Sequence, residues 1–253
     1  MKLHRFFSAE KIFGLKGATV MPTGTPLTYT DVSSQWQKVL RFTACDQVIL
    51  FDGSGFDFHC EIKELRGETV ILSLIEQKKN TVLPRQNVVL YAALVKKDTF
   101  EWIVQKATEL GVSDIVPVLA ERSEKKNINT ERLQKIIVEA SEQSGRGTLP
   151  HLHEIQSLKE FFVEHGLPGT HTIDVSQWVA FDPRGEKLSR ESNMDKVGDG
   201  AQGTAAVFIG PEGGWSAIEI EAFVKAGISV QSLGPQVLRT ETAVVAALSQ
   251  FVF

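Results

Sequence analysis

The sequence predicts an α/β protein: a mainly parallel sheet with helices on both faces, preceded by a small β-barrel. Three observations carry this. From Val82 onward, apolar strand-like runs alternate with helical segments, a pattern that builds a parallel sheet covered by helices. Residues 1 to about 78 instead give short strands joined by turns, as a small barrel does. Near the end of the chain, two segments each run from an apolar strand through a Gly/Pro turn into a helix.

In chain order, Ser34-Gln35-Trp36-Gln37 is box-like, and Trp36, Val39 and Leu40 share a face, which predicts a short helix over roughly 34–42. At that spacing Trp36 reads as core more readily than as a base-stacking ring. Gln47 to Phe51 is a strand, Asp52-Gly53-Ser54-Gly55 a hairpin-type turn, and Phe56 to Lys63 the returning strand. Arg66-Gly67 turns again before a third strand, Thr69 to Ile75. The polar run Gln77-Lys78-Lys79-Asn80-Thr81 marks a domain boundary, giving domains over 1–78 and 79–253.

In the second domain Val88 to Leu94 is a strand. Asp98-Thr99-Phe100-Glu101 is expected to cap a helix with Phe100, Ile103, Val104, Ala107 and Leu110 on one face, stopped by Gly111. Ile115 to Leu119 is the next strand, and Leu133 to Gln143 a helix ended by Gly145. A short helix opens at Ser157-Leu158-Lys159-Glu160 and closes at Gly166, and Thr172 to Val175 is a further strand. Asp182 to Gly203 is polar and glycine-bearing, and is expected to be a mobile loop or an insert.

The two terminal corners organise the rest. Ala205 to Ile209 is apolar, as befits a central strand. Gly210, Gly213 and Gly214 let the backbone come close to a ligand. Ser216-Ala217-Ile218-Glu219 is a capping box stapled by Trp215 and Ile220; Ile220, Phe223 and Val224 form the apolar face, and Gly227 the stop. Val230 to Leu233, Gly234-Pro235 and an N-cap at Thr240 repeat the plan, and Ala243 to Leu248 is apolar almost all round, hence expected to be buried. Together the corners make a slot lined by backbone amides.

Composition narrows the class. Of 253 residues, 42% are hydrophobic and 23% charged, the values of an ordinary globular protein. No apolar run approaches a membrane span, and no signal peptide is expected ahead of the fold. Cys45 and Cys60 lack metal-type spacing, which points to a reducing, cytoplasmic setting. Net charge is −4, yet residues 1–41 carry six Lys/Arg against Glu10 and Asp31, a local +4 that suits a phosphate footprint or simply a solvated face. His151 and His153 stand two apart with no third ligand, so no metal is expected. There is no G-x-x-x-x-G-K-[ST] loop, no strand-linked G-x-G-x-x-G and no G-x-S-x-G elbow.

Ile209-Gly210-Pro211-Glu212-Gly213-Gly214 and Leu233-Gly234-Pro235-Gln236-Val237-Leu238-Arg239-Thr240-Glu241-Thr242-Ala243 closely resemble the signature of the 16S ribosomal RNA (uracil-N3)-methyltransferases, a family of the SPOUT superfamily. Gln105-Lys106-Ala107-Thr108-Glu109-Leu110-Gly111-Val112 and Glu139-Ala140-Ser141-Glu142-Gln143-Ser144-Gly145-Arg146 match further family segments. Val39-Leu40-Arg41, Asp46 and Phe51-Asp52-Gly53-Ser54-Gly55 look like the family's PUA-like first domain. The resemblance implies a trefoil knot at the C-terminal corners, an exception to the rule against threaded chains. It implies S-adenosylmethionine bound, without metal, by Ile209, Gly210, Pro211, Glu212, Gly213, Gly214, Leu233, Gly234, Val237, Leu238, Thr240, Thr242 and Ala243. It also implies a homodimer packed through the knotted domains, acting on 16S ribosomal RNA or the assembled small subunit.

Methyl transfer demands in-line positioning, and uridine N3 must lose a proton that is not shed readily at neutral pH. The expected assignment has Arg239 orienting or stabilising the uracil and Glu241 or Glu212 accepting the proton or a bond from the cofactor. A structural bond to loop amides is the alternative for each carboxylate. Arg5, Lys38, Arg41 and Arg146 are the expected RNA contacts. Three departures from the family pattern stand out: Gln236 for the usual arginine, Cys45 for a glycine, and no histidine in Gln35 to Lys38. A non-catalytic RNA-binding or ribosome-assembly factor on the same fold is the competing class, distinguished by failure to bind S-adenosylmethionine.

Overall fold

The computed structural model describes residues 3–12, 20–30, 35–67, 69–82, 86–124, 126–164, 176–187 and 204–252. The chain forms two compact units, one of residues 1–83 with 141–149 and one of residues 84–140 with 150–253. The expected strand over Thr172 to Val175, the stop at Gly166 and residues 188–203 of the expected loop lie outside the described residues.

The first unit is a five-stranded sheet in the order β1–β3–β4–β5–β2, built from β1 (His4–Phe7), β2 (Pro26–Thr30), β3 (Gln47–Phe51), β4 (Phe56–Arg66) and β5 (Thr69–Lys79). β1 runs parallel to β3, and the other pairs are antiparallel. The two edge strands approach where Tyr29 Oη donates to the Phe7 carbonyl at 2.6 Å. Alternation along β4 and β5 turns Phe58, Cys60, Ile62, Val70, Leu72 and Leu74 inward. The helix expected over 34–42 is only a π-helical turn, Gln35–Val39. Arg41 follows with φ of 57°, which bends the chain out of the helical path. Trp36 is wholly buried, 4.4 Å from the Phe6 ring centroid, whereas Val39 is 71% exposed and leaves the expected apolar face.

Residues 141–149 complete this unit through polar contacts. Arg5 Nη1 and Nη2 donate to the Asp57 carboxylate at 2.6 and 2.9 Å, and Nη2 also reaches the Arg146 carbonyl at 3.2 Å. Asn80 Nδ2 donates to the same carboxylate and to the Gly145 carbonyl at 2.9 Å. The Phe7 N–H is taken by Glu142 Oε1 at 2.9 Å. Gly147 is held to its residue type, since a Cβ there would lie 2.6 Å from Asn80 Cβ.

The second unit is a parallel sheet in the order β12–β10–β11–β6–β7–β8, seven-stranded with β9, which also pairs with β7. Its strands are β6 (Asn87–Ala93), β7 (Asp114–Leu119), β8 (His151–Leu152), β9 (Gln156–Ser157), β10 (Trp178–Lys187), β11 (Thr204–Ile209) and β12 (Ser229–Ser232). Its helices are α1 (Lys97–Leu110), α2 (Thr130–Ser144), α3 (Leu158–Glu164), α4 (Ala217–Lys225) and α5 (Thr240–Val252); the last turn of α2 belongs to the first unit. Among the described residues no helix is long and apolar enough to cross a membrane. Tyr91 stacks on Phe208 at 4.3 Å, with Phe161, Phe223 and Trp215 around the pair in the core.

Four local expectations are corrected. The N-cap of α1 is Lys96, with no side-chain cap bond, because the helix begins before Asp98 and places that carboxylate in its first turn. On α4, Val224 is 62% exposed, so the apolar face reduces to Ile220 and Phe223. α5 buries Thr240, Val244, Ala247 and Leu248 and leaves Val245 and Ala246 half-exposed, so it is not buried all round. The Ala243 N–H bonds to the Arg239 carbonyl at 2.8 Å, which makes Thr240 the first helical residue rather than the cap.

Candidate active site

The cleft is made at the carboxyl ends of β10, β11 and β12, where α/β sheets bind ligands. β11 delivers Ile209 into Gly210-Pro211-Glu212-Gly213-Gly214, closed as a turn by the Gly214 N–H donating to the Pro211 carbonyl at 2.8 Å. Gly214 has φ of 67°, which favours glycine. A Cβ on Gly210 would stand 3.1 Å from the Trp215 indole, and the Trp215 Nε1 donates to the Phe181 carbonyl at 3.1 Å, so this corner is packed onto its own tryptophan. Helix α4 then starts on the expected capping box: the Ser216 N–H donates to Glu219 Oε2 at 2.8 Å, and the Glu219 N–H to Ser216 Oγ at 3.2 Å. Glu219 Oε1 also accepts from the Glu121 N–H at 2.8 Å.

β10 supplies a wall that the sequence did not disclose. Phe181 and Glu186 both pair with Gln231, so Asp182-Pro183-Arg184-Gly185 bulges out of the ladder. Gly185 is where the chain returns: a Cβ there would lie 2.6 Å from the Gln231 carbonyl carbon. The expectation of a loop from Asp182 is corrected accordingly, since Asp182 to Lys187 continues a strand. Arg184 donates from Nε and Nη2 to the Asp182 carboxylate at 2.7 and 2.9 Å, and from Nη2 to the Trp215 carbonyl at 2.8 Å. Burial works to raise the Asp182 pKa, but hydrogen bonds from Arg184 and the Trp215 backbone outweigh it and hold the carboxyl below its ordinary value.

The second corner follows β12. Gly234 takes φ of 142°, and its N–H meets Ser232 Oγ at 3.3 Å. Together the corners and the β10 bulge enclose a cleft of about 570 Å3. Ile209 through Gly214, Leu233, Gly234, Val237, Leu238, Thr240 and Ala243 all line it, with Arg239 and Gln236. Thr242 is exposed and Glu241 half-buried, and neither is among the lining residues. Arg122 also lines it, donating from Nη1 to the Gly213 carbonyl at 2.8 Å. No motif marked Arg122, Asp182 or Arg184 beforehand; the Asp-Pro-Arg-Gly run was the one available signal.

The other expected residues fall differently. Arg146 is buried and the Arg5 side chain is only 7% exposed: Arg5 is held by Asp57, and Arg146 Nε donates to the Thr148 carbonyl at 2.8 Å. Burial lowers the Arg146 guanidinium to about 10. Lys38 and Arg41 are exposed. His153 Nε2 lies 2.8 Å from Asp114 Oδ1, with the His151 ring edge-on to it. Among the described residues no three His, Cys, Asp or Glu side chains are grouped to hold an ion.

A glycine-cornered cleft at the carboxyl rim of a parallel sheet, in a chain that also carries a separate β unit, defines an α/β protein built to hold a small organic molecule. A model of the RNA methyltransferase domain matches residues 81–252. The chain is 32% identical to the ribosomal RNA small subunit methyltransferase E of Bacillus subtilis over 84% of this chain and 83% of that protein, and 33% identical to that of Synechocystis over 92% and 72%. The solved ribosomal RNA small subunit methyltransferase E of Neisseria gonorrhoeae, bound to S-adenosyl methionine, matches with a TM-score of 0.78 at 26% identity, over 98% of this chain and 96% of that one. The chain belongs to the RNA methyltransferase domain family and, within it, to the ribosomal RNA small subunit methyltransferase E group. The resemblance drawn from the two C-terminal corners is borne out.

Proposed function

We propose that the protein methylates N3 of a uridine in 16S ribosomal RNA, with S-adenosylmethionine as donor. The observation that carries this reading is the meeting of two glycine corners, led by Gly210 and Gly234, on one cleft with Arg239 in its wall. The cleft fits the donor: about 570 Å3 lies in the range of small-molecule sites, and at Gly214 and Gly234, where a Cβ would meet nothing nearer than 3.5 Å, the main chain stands open. The main chain of 209–214 and 233–243 would hold it. When bound, S-adenosylmethionine supplies the methyl group that N3 attacks.

The chain's own residues handle the acceptor. Arg239 donates to the uracil carbonyls and stabilises the charge that spreads onto them as N3 loses its proton. Glu212, a lining residue, takes the part of proton or hydrogen-bond acceptor better than Glu241, which stands off the cleft. The Asp182–Arg184 pair fixes the carbonyl of Trp215 and with it the first corner. We assign RNA binding to residues 1–78, with Lys38 and Arg41 as exposed cations, and methyl transfer to residues 79–253. The strand order β12–β10–β11 supports a knotted connection there, and Val237, 84% exposed, with half-exposed apolar residues of α5 supports pairing of two such units in a homodimer. The setting is cytoplasmic, and the substrate is the RNA or the assembled small subunit.

The test is incubation with isotopically labelled S-adenosylmethionine and either naked 16S RNA or small subunits from a strain lacking the protein, followed by mass mapping of nucleosides. Label in 3-methyluridine at one position is expected. Binding of RNA without binding of the donor would establish a non-catalytic factor instead.

A further inference from the structure

A second cleft, of about 330 Å3, opens beside the first corner's strand. In the sheet, Ala92 of β6 pairs with Ile209 of β11, and Ala93 pairs with Val118 of β7. Val95, just past the end of β6, lines the second cleft, so both clefts lie along the same carboxyl rim, off adjacent strands. Val95, Phe100 and Leu133, all nearly fully buried, form apolar walls with the half-buried Ile128. Lys97, Glu101 and Asn127 bring the polar groups.

Glu101 carries the argument. Its Oε1 is shut off from solvent and accepts no hydrogen bond among the described residues. The Lys97 ammonium stands 3.7 Å from it on a side chain 70% exposed, and Oε2 accepts from Arg132 Nε at 3.3 Å. A desolvated carboxylate oxygen without a donor is costly, and a ligand N–H relieves that cost. Apolar walls around a carboxylate and a carboxamide suit a flat heterocycle read at its edge. Guanine alone among the RNA bases carries two adjacent donors, N1–H and the N2 amino group, that match the two oxygens of a carboxylate. Adenine and cytosine place a ring acceptor beside their amino group, and uracil places carbonyls on both sides of its single N–H.

We propose that this cleft holds a guanine of the substrate RNA close to the methylated nucleotide, with Lys97 swinging off Glu101 as the base enters. The proposal rests on the RNA-methyltransferase reading above. It is tested on the whole 15N-labelled protein by titrating guanosine, adenosine, cytidine and uridine 5′-monophosphates and following amide resonances. The guanosine nucleotide is expected to shift residues 97–101 and 127–129 and to bind about tenfold or more tighter than the other three, a preference that Glu101→Gln removes. Inosine 5′-monophosphate, which lacks the amino group, is expected to bind the unaltered protein about tenfold more weakly than the guanosine nucleotide. Equal binding of all the nucleotides, which would mark a phosphate site, or no shift at these residues, would overturn the proposal. S-adenosylmethionine titrated into the same sample separates the two readings: shifts at 209–214 without a guanosine response sink this inference alone, whereas silence at 209–214 sinks the methyltransferase reading.

Discussion

The cleft of the second unit and the polar network of the first both gather arginines and carboxylates, and they employ them in opposite ways. In the network the charges face each other: Arg5, its side chain 7% exposed, forks onto Asp57, which Asn80 also holds. In the cleft the enclosure is made by main chain and glycine, and Arg122, Glu212 and Arg239 stay exposed at its surface. A buried ion pair locks the segments that carry it, because neither partner can be left alone in a poorly solvated place. A cation meant for a ligand keeps its hydration until the ligand arrives. The contrast separates residues whose loss unfolds the protein from residues whose loss disarms it.

Arg5→Ala tests the first half most severely. It strands Asp57 with only the Asn80 amide as donor, and should cost about 3 kcal/mol in urea or thermal unfolding. An Arg5 whose business was RNA would leave the midpoint in place. Arg239→Ala is the mirror case: turnover should fall on the order of a hundredfold, with unfolding midpoint and S-adenosylmethionine affinity close to those of the parent. Normal turnover would remove Arg239 from the site.

Asp182→Asn lies between the two, since Asp182 is buried yet lines the cleft. Losing its charge-assisted bonds to Arg184 should cost about 1–2 kcal/mol. Its carboxyl is held below the ordinary value in the folded state, so its contribution is complete above the unfolded carboxylate pKa and is lost as pH falls through the lower, folded one. Melting curves over that acid window should converge for parent and variant, and a constant gap would reject the account. The smallest effect is a gain. Cys45 is exposed with φ of 74°, a conformation that glycine adopts without strain, and Cys45→Gly should add about 1 kcal/mol by calorimetry.

What the sequence disclosed follows the same division. The corners were legible because glycine, proline and a capping box act on local backbone geometry, and Gly210, Gly214 and Ser216 do locally what their types require. Trp36 was legible as core from its spacing. β10 was not, because strand reading depends on apolar runs and a bulge of Asp-Pro-Arg-Gly places polar residues where the ladder is interrupted. The directions of Arg5 and Arg146 were not legible, because charge counting sees no partners: the Asp57 carboxylate takes one and the Thr148 carbonyl the other. Val224 failed for a related reason: helical spacing marks a face, but the width of that face depends on what packs against it.

The insertion of residues 141–149 into the first unit has an outcome for the growing polypeptide. Strands β1 to β5 are complete when residue 79 has been made, yet more than sixty further residues must be added before the carboxylate of Glu142 and the carbonyls of Gly145 and Gly147 exist. β6, α1 and β7 must be synthesised before that missing piece appears, so the leading unit waits half-finished while the trailing one begins. Maturation is therefore interleaved, and a fragment cut after residue 83 would carry its Arg5–Asp57 pair with one side open to water.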